Sequence, residues 1–322
     1  MAGQVIERPL RIIFMGTPHF AASNLQALLA GPDNVVAVVT QPDKPKGRGK
    51  KLSPPPVKVL AEEENIPVLQ PTKIRTDEFR DELAAYQPDL IVVVAYGRIL
   101  PKSLLELPPL GCINLHGSIL PRHRGAAPIQ WAVIAGDKEV GVTVIQMDEG
   151  MDTGDILLKS TIQSAPGETA GTLFKRLAKL GTTALLDAIK GLKTGTIEPE
   201  TQDHSQATEA PMLKKDDGLI DWNKTADEIE CLIRGLDPWP NAFSFINGKR
   251  IKFFVPEVYH QDSGLLPGTV VRATKDGLLV AAATNCVLIK EVQLEGKKRM
   301  PVEALINGFP IEPGTVLQGN TR

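Results

Sequence analysis

Short apolar runs and amphipathic stretches alternate along the first half of the chain. Residues 11–16 form an apolar run closed by Gly16, and residues 20–29 carry apolar side chains at three- and four-residue spacing, so the pattern predicts strand, turn and helix. Residues 34–40 predict a second buried strand, 61–65 the end of a helix, and 77–86 an amphipathic helix. The strongest strand signal is 89–95, where Leu90, Ile91, Val92, Val93 and Val94 follow one another without a break. Strands apolar on both faces that alternate with helices predict an α/β domain, a mostly parallel sheet with helices on both faces.

Residues 111–115 and 140–146 continue the strand series with a helix at 126–135 between them, and 169–189 predict a long helix after Pro166 and Gly167. The texture then changes. Residues 191–196 and the polar run 201–209 have little periodicity and read as a connector. These features divide the chain into a first domain at 1–195, a linker at 196–213 and a second domain at 214–322. In the second domain a short helix at 226–234 precedes apolar segments at 250–255, 268–272, 277–282 and 286–292, separated by Gly, Asn and Asp-Gly turns. Such spacing predicts a small antiparallel β-barrel, OB-like in size.

Composition narrows the class. A chain of 322 residues suits two domains of ordinary size, and 42% apolar with 23% charged residues describes an ordered globular protein. The net charge of -2 announces no nucleic-acid partner, so that question falls to local charge. Cys112, Cys231 and Cys286 are far apart and form no C-x-x-C pair, which argues against a disulfide framework or thiolate zinc site and fits a reducing, cytoplasmic setting. The first ten residues have no apolar core of a secretion signal, and no run of about 18 apolar residues occurs, so no membrane association is expected. The α/β texture alone would suit a dinucleotide-dependent oxidoreductase, yet Gly16 begins no G-x-G-x-x-G turn. The five histidines lack metal-ligand spacing, and no metal is expected.

Two places carry candidate chemistry. Asn114 and His116 lie two apart in an apolar run, so on an extended backbone they face the same way, and Asp152 follows in a turn-forming stretch at 148–155. An amide, an imidazole and a carboxylate suffice to move an acyl group to an amine. The amide donates to the oxyanion, the imidazole donates to the oxyanion or exchanges a proton near neutrality, and the carboxylate fixes the ring and favours the imidazolium. Taken alone, Asp152 reads more readily as a turn aspartate that caps its own backbone. The second place is the run Lys44, Lys46, Arg48, Lys50 and Lys51, rich in glycine and proline and free of acidic residues. A flexible basic loop of this kind tracks phosphates or is simply solvated.

These residues resemble a known family. Asn114, His116, the stretch Ser118, Ile119, Leu120 and Pro121, then Arg124 and Gly125, and finally Asp152 before Thr153, Gly154 and Asp155 are similar to the formyltransferases that use 10-formyltetrahydrofolate. Ile119 and His123 depart from the residues usual at their positions. The resemblance extends over nearly the full chain, through residues 16–21, 41–52, 125–130 and 235–243. It implies a Rossmann-like first domain, catalysis by Asn114, His116 and Asp152, and a folate site formed by residues 118–121, with Pro121 in a cis peptide, and by Tyr96, Gly97, Arg98 and Ile99. It also implies a monomer and an acceptor that is methionine carried by initiator tRNA, held by Arg48 first and by Lys50, Lys51, Lys46 and Lys44. The same chemistry on a small amine, such as a glycinamide ribonucleotide or an amino sugar nucleotide, would need neither the basic run nor the barrel. In the second domain Lys249, Arg250, Lys252, Lys297, Lys298 and Arg299 form a possible basic face.

Overall fold

The computed structural model describes residues 5–46 and 51–318. Its strands are β1 (Arg11–Gly16), β2 (Asn34–Val39), β3 (Lys44–Lys46), β4 (Lys51–Ser53), β5 (Val68–Leu69), β6 (Leu90–Val94), β7 (Cys112–His116), β8 (Glu139–Gln146) and β9 (Ile156–Gln163) in the first half. The second half adds β10 (Phe243–Ile246), β11 (Lys249–Tyr259), β12 (Val270–Thr274), β13 (Gly277–Ala281), β14 (Cys286–Leu294) and β15 (Met300–Pro301). Chain contacts divide the molecule into two units, one of residues 1–128, 140–162 and 175–211, the other of 129–139, 163–174 and 212–322.

The first unit is built on a seven-stranded sheet in the order β5-β2-β1-β6-β7-β8-β9. Every neighbouring pair from β5 to β7 is parallel, and β8 runs antiparallel to β7. The mostly parallel α/β sheet expected from the sequence is therefore present. Alternate residues Ile13, Met15, Ala37, Val39, Ile91 and Val93 make one core face with Phe79, Leu83, Leu104 and Leu105 from the helices Asp77–Ala84 and Lys102–Leu105. The intervening Ile12, Phe14, Val38 and Val92 are equally buried, and the helix His19–Leu29 contacts β1, β2 and β6. Covering both faces explains why these strands are continuous apolar runs rather than alternating ones.

Two features of this sheet place the site. The chain builds outward from β1 through β2 to β5, then returns to β6 on the other side of β1, so the direction of strand addition switches between β1 and β6. At such a switch the carboxyl ends of the strands border a crevice. On β7, Cys112, Asn114 and His116 share one face, with Val93 opposite Asn114. The apolar cover ends at Cys112, whose thiol contacts the Leu104 carbonyl and is pushed up to about 12 by burial. Asn114 and His116 continue that face past the end of the cover. On the reverse face Leu115 is covered by the helix Ala170–Thr194, where a Cβ on Gly181 would lie 2.9 Å from the Leu115 side chain.

Several elements differ in detail from the sequence reading. Strand β9 was not foreseen, because a sheet-edge strand with alternating burial carries too few apolar residues to stand out. The basic run expected as a flexible loop is flanked by β3 and β4, which pair antiparallel with Lys44 opposite Ser53 and Lys46 opposite Lys51. Arg48 and Lys50 lie outside the described residues. Segments 129–139 and 163–174 cluster with the second unit. Side-chain fit accounts for this: the Gly235 position abuts Ile134, and Arg234 donates to the Glu168 carbonyl at 2.8 Å.

The second unit carries the expected barrel. Strands run in the order β10-β11-β14-β13-β12, all antiparallel, with β15 paired to β14. The edge strands are joined by the last described residues. Gln318 exchanges two backbone hydrogen bonds with Phe245 of β10, while the Val270 amide of β12 donates to the Thr315 carbonyl and the Leu317 amide to that of Gly268. One short segment thus pairs with both edges and removes the unpaired rows that an open sheet would leave. Inside, Trp222 meets Phe253 edge to face at 5.8 Å. The helix Ala226–Gly235 starts at a capping box, Thr225 and Glu228 each satisfying the other's backbone amide.

Leu317 is buried in the closing segment. Leu317→Ala is expected to cost about 2 to 5 kcal/mol of stability in this unit. All three tryptophans, Trp131, Trp222 and Trp239, belong to the second unit, so the loss should appear as a lower urea midpoint by tryptophan fluorescence. An unchanged midpoint would mean that the segment does not hold the barrel closed.

Candidate active site

Asn114, His116 and Asp152 come together. His116 is buried and Asp152 half-buried, and His116 Nδ1 stands 3.6 Å from Asp152 Oδ2. The ring's other nitrogen, Nε2, lies 2.8 Å from the His123 carbonyl oxygen. A carbonyl only accepts, so Nε2 carries the proton, and Nδ1 is the ring atom left to exchange one. Asp152 Oδ2 accepts the Gly125 amide at 2.9 Å. Asn114 is half-buried, and its side-chain amide has no hydrogen-bond partner among the described residues. A free donor and an imidazole–carboxylate pair therefore open on the same strand face.

The backbone around them is shaped by glycine. Gly125 has φ of +127°, and a Cβ there would lie 2.6 Å from the Ala210 carbonyl oxygen. In the loop after β8, a Cβ on Gly154 would collide with the Gln146 carbonyl oxygen, and Asp152 itself adopts φ of +56°. Positive φ is disfavoured for a residue with a side chain, so this turn is held by its surroundings.

The segment 118–121, expected to line the folate site, follows β7. The peptide before Pro121 is cis, as anticipated. Ser118 Oγ donates to the Arg122 carbonyl at 2.6 Å, and Leu120 is buried with Ile145 and Ile156. Ile119 and Pro121 are half-buried. The side chains of Ser118 and Leu120 thus shape the loop from inside. Thr143, missed by the sequence reading, anchors it: the hydroxyl donates to the Ser118 carbonyl at 2.7 Å and accepts the Leu120 amide at 3.0 Å. A threonine within the otherwise apolar run of β8 was the available signal.

Tyr96, Gly97, Arg98 and Ile99 follow β6 at the switch point. Tyr96 is buried in the core with its hydroxyl unpaired among the described residues, and burial pushes that phenol up against the opposing charge of Arg98. Its carbonyl accepts from Gln41 Nε2 at 3.1 Å and from the Thr17 hydroxyl at 3.4 Å. Arg98 donates to the Thr72 carbonyl at 3.0 Å, while Ile99 is exposed. Among the described residues nothing accepts the backbone amides of Gly97, Arg98 and Ile99. Three successive free amides beside an exposed apolar side chain suit a flat heterocycle with polar edges, which is the chemistry of a pteridine.

The polar run read as a linker instead braces this site. Gln202, buried, donates to the Asp152 and Gly154 carbonyls at 2.9 and 2.7 Å and accepts from Arg124. The Arg124 amide donates to the Thr208 carbonyl at 2.8 Å, and the Ala210 amide to that of Arg124 at 2.6 Å. Bonds between distant segments leave no periodicity in sequence, so only the density of polar residues hinted at this role.

The basic candidates are less uniform. Lys44 is exposed on β3. Asp43, just before it, is tied to Lys58 and Gln70, whose hydrogen bonds hold its carboxyl below the usual range. In the barrel Arg250 lies 3.6 Å over the Phe243 ring, and Arg299 bonds Glu291 and Asp237. Lys252 donates to Asn241 Oδ1 at 2.9 Å and is lowered by burial and then by Arg250. These three are committed to internal partners. Among the described residues no cluster of His, Cys, Asp or Glu suited to a metal is present, and no helix is long and apolar enough to cross a membrane.

Comparison with known proteins places this geometry. A family profile described as formyl transferase matches residues 10–189, and its C-terminal domain profile matches residues 212–310. A methionyl-tRNA formyltransferase of Desulfotalea psychrophila is 70% identical over 312 residues, 97% of each chain. Another, of Geobacter sulfurreducens, is 50% identical over 308 residues, 96% of each. Among solved structures, WlaRD, a sugar 3N-formyl transferase with dTDP and 5-N-formyl-THF, aligns at a TM-score of 0.66 with 18% identity, covering 92% of this chain and all of its own. HypX from Aquifex aeolicus in complex with tetrahydrofolic acid aligns at 0.59 with 17% identity, over 97% of this chain and 51% of its own. At that identity these two speak for the fold. The chain belongs to the formyl transferase family.

Proposed function

We propose that the chain transfers a formyl group from 10-formyltetrahydrofolate to the α-amino group of methionine carried by initiator tRNA, as a cytoplasmic monomer. The observation that carries the acceptor is the 70% identity, over 97% of both chains, to a methionyl-tRNA formyltransferase. Three free cysteines agree with a reducing compartment.

When bound, the folate supplies a formyl carbonyl on a nitrogen leaving group; Gly97, Arg98 and Ile99 would hold its heterocycle through their amides. The protein's part is the placement of charge. As the amine attacks the formyl carbon, negative charge grows on the formyl oxygen and positive charge on the amine. The Asn114 amide donates to the oxygen, and being neutral it needs no change of protonation. His116 Nδ1 accepts the amine proton, because Nε2–H is committed to the His123 carbonyl. Asp152 stabilises the imidazolium that results, and this imidazolium would return the proton to the departing folate nitrogen as the bond from that nitrogen to the formyl carbon breaks. The phosphate contacts belong to the basic run, with Arg48 first and Lys50, Lys51, Lys46 and Lys44 after it, where Lys44 is exposed beside the strand pair β3 and β4. The barrel adds further contact with the tRNA.

The acceptor is tested by supplying labelled formyl donor with methionyl initiator tRNA or with a small amine of the ribonucleotide or amino sugar class. Label on the tRNA is expected; label only on the small amine would overturn the reading. His116→Ala or Asp152→Ala is expected to slow transfer about 100- to 10,000-fold without loss of the circular dichroism signal. Near-normal turnover in either variant would remove the proposed trio. Changing Arg48, Lys50 and Lys51 together to alanine should weaken tRNA binding. It should also reduce the slope of log affinity against log salt by about 2 to 3, at roughly 0.7 to 0.9 per neutralised phosphate. An unchanged slope would place the phosphate contact elsewhere.

A further inference from the structure

We infer that Gln202 is a positioning residue for Asp152, an inference that rests on the formyl-transfer reading above. The side chain is 3% exposed, and all its polar capacity is directed at the catalytic loops. Its oxygen accepts Arg124 Nε at 3.2 Å and Nη2 at 2.6 Å. A guanidinium only donates, so the amide orientation is fixed: oxygen toward Arg124, NH₂ toward the carbonyls of Asp152 and Gly154. Those carbonyls bracket Thr153, so Gln202 clamps the turn in which Asp152 holds its disfavoured backbone conformation.

The same strap also reaches the imidazole. His116 Nε2 donates to the His123 carbonyl, and the His123 amide donates to Thr208 Oγ at 2.8 Å. Arg124, which binds Gln202 through its side chain, is bonded through its backbone to Thr208 and Ala210. The carboxylate and the imidazole therefore rest on one segment, residues 202–210, through separate hydrogen bonds. At 3.6 Å the pair is longer than a direct hydrogen bond. Its separation is fixed by these backbone anchors and not by the pair itself. Gln202 touches neither substrate nor reacting atoms; its effect passes through Asp152.

Two substitutions separate this role from plain structure. Gln202→Glu keeps an acceptor for Arg124 and loses both donations to the Asp152 turn, while Gln202→Met keeps the volume and loses every bond. Each variant is assayed for transfer from 10-formyltetrahydrofolate to methionyl initiator tRNA, alone and combined with Asp152→Asn. Gln202→Glu is expected to lower kcat roughly 100-fold, the scale of a catalytic group misplaced by about 1 Å, with KM for both substrates unchanged. In the Asp152→Asn background it is expected to have no further effect, the coupling that a double-mutant cycle detects. Equal losses in both backgrounds, or a wild-type kcat, would overturn the inference. If Gln202→Met fails to fold by circular dichroism, the glutamate cycle decides alone. Failure of the wild-type protein to formylate the tRNA would instead contradict the functional reading.

Discussion

A half-buried carboxylate beside a buried imidazole must be held from outside, and this requirement organises the first unit. Asp152 and His116 stand 3.6 Å apart with little exposure to water. Burial without partners would be costly for either group. Each is therefore fixed by backbone: Asp152 by the Gly125 amide, His116 by the His123 carbonyl. Both anchors lie in one short loop after β7, which explains why that loop carries a cis proline, a glycine at φ of +127° and three backbone hydrogen bonds to the segment around residue 209. The sheet supplies the remaining constraint, since the apolar cover on one face of β7 ends where Asn114 begins.

The division of labour follows from this arrangement. Chemistry depends on a rigid sheet edge and on loops braced by buried amides. On the proposed reading, recognition of a large acceptor falls to the basic run at β3 and β4 and to the barrel of the second unit. The internal commitments of Arg250, Lys252 and Arg299 mean that barrel charge is partly structural, so a count of basic residues overstates the free positive surface.

Strand identities in the sheet were legible in the sequence because they are apolar on both faces. The placement of Asn114, His116 and Asp152 was legible for two reasons: Asn114 and His116 obey strand periodicity, and the residues around Asp152 form a recognisable turn. What could not be read depends on contacts across many residues. Gln202, Thr208 and Gln41 act through hydrogen bonds to carbonyls and amides far away in the chain, and such bonds impose no spacing. Residues 315–318 close the barrel with too few residues to register as a strand. The side chains of Ser118 and Leu120 support their own loop from inside, a direction that motif position does not reveal.

In the proposed mechanism His116 Nδ1 is the working nitrogen, its partner Nε2–H being fixed by a carbonyl. Nitrogen NMR of the protein labelled with ¹⁵N-histidine, with the His116 signal assigned by comparison with His116→Ala, tests it most directly. The neutral ring is predicted to show the proton on Nε2. A neutral ring protonated on Nδ1 would contradict the account, since the nitrogen facing Asp152 could then accept no proton from the amine.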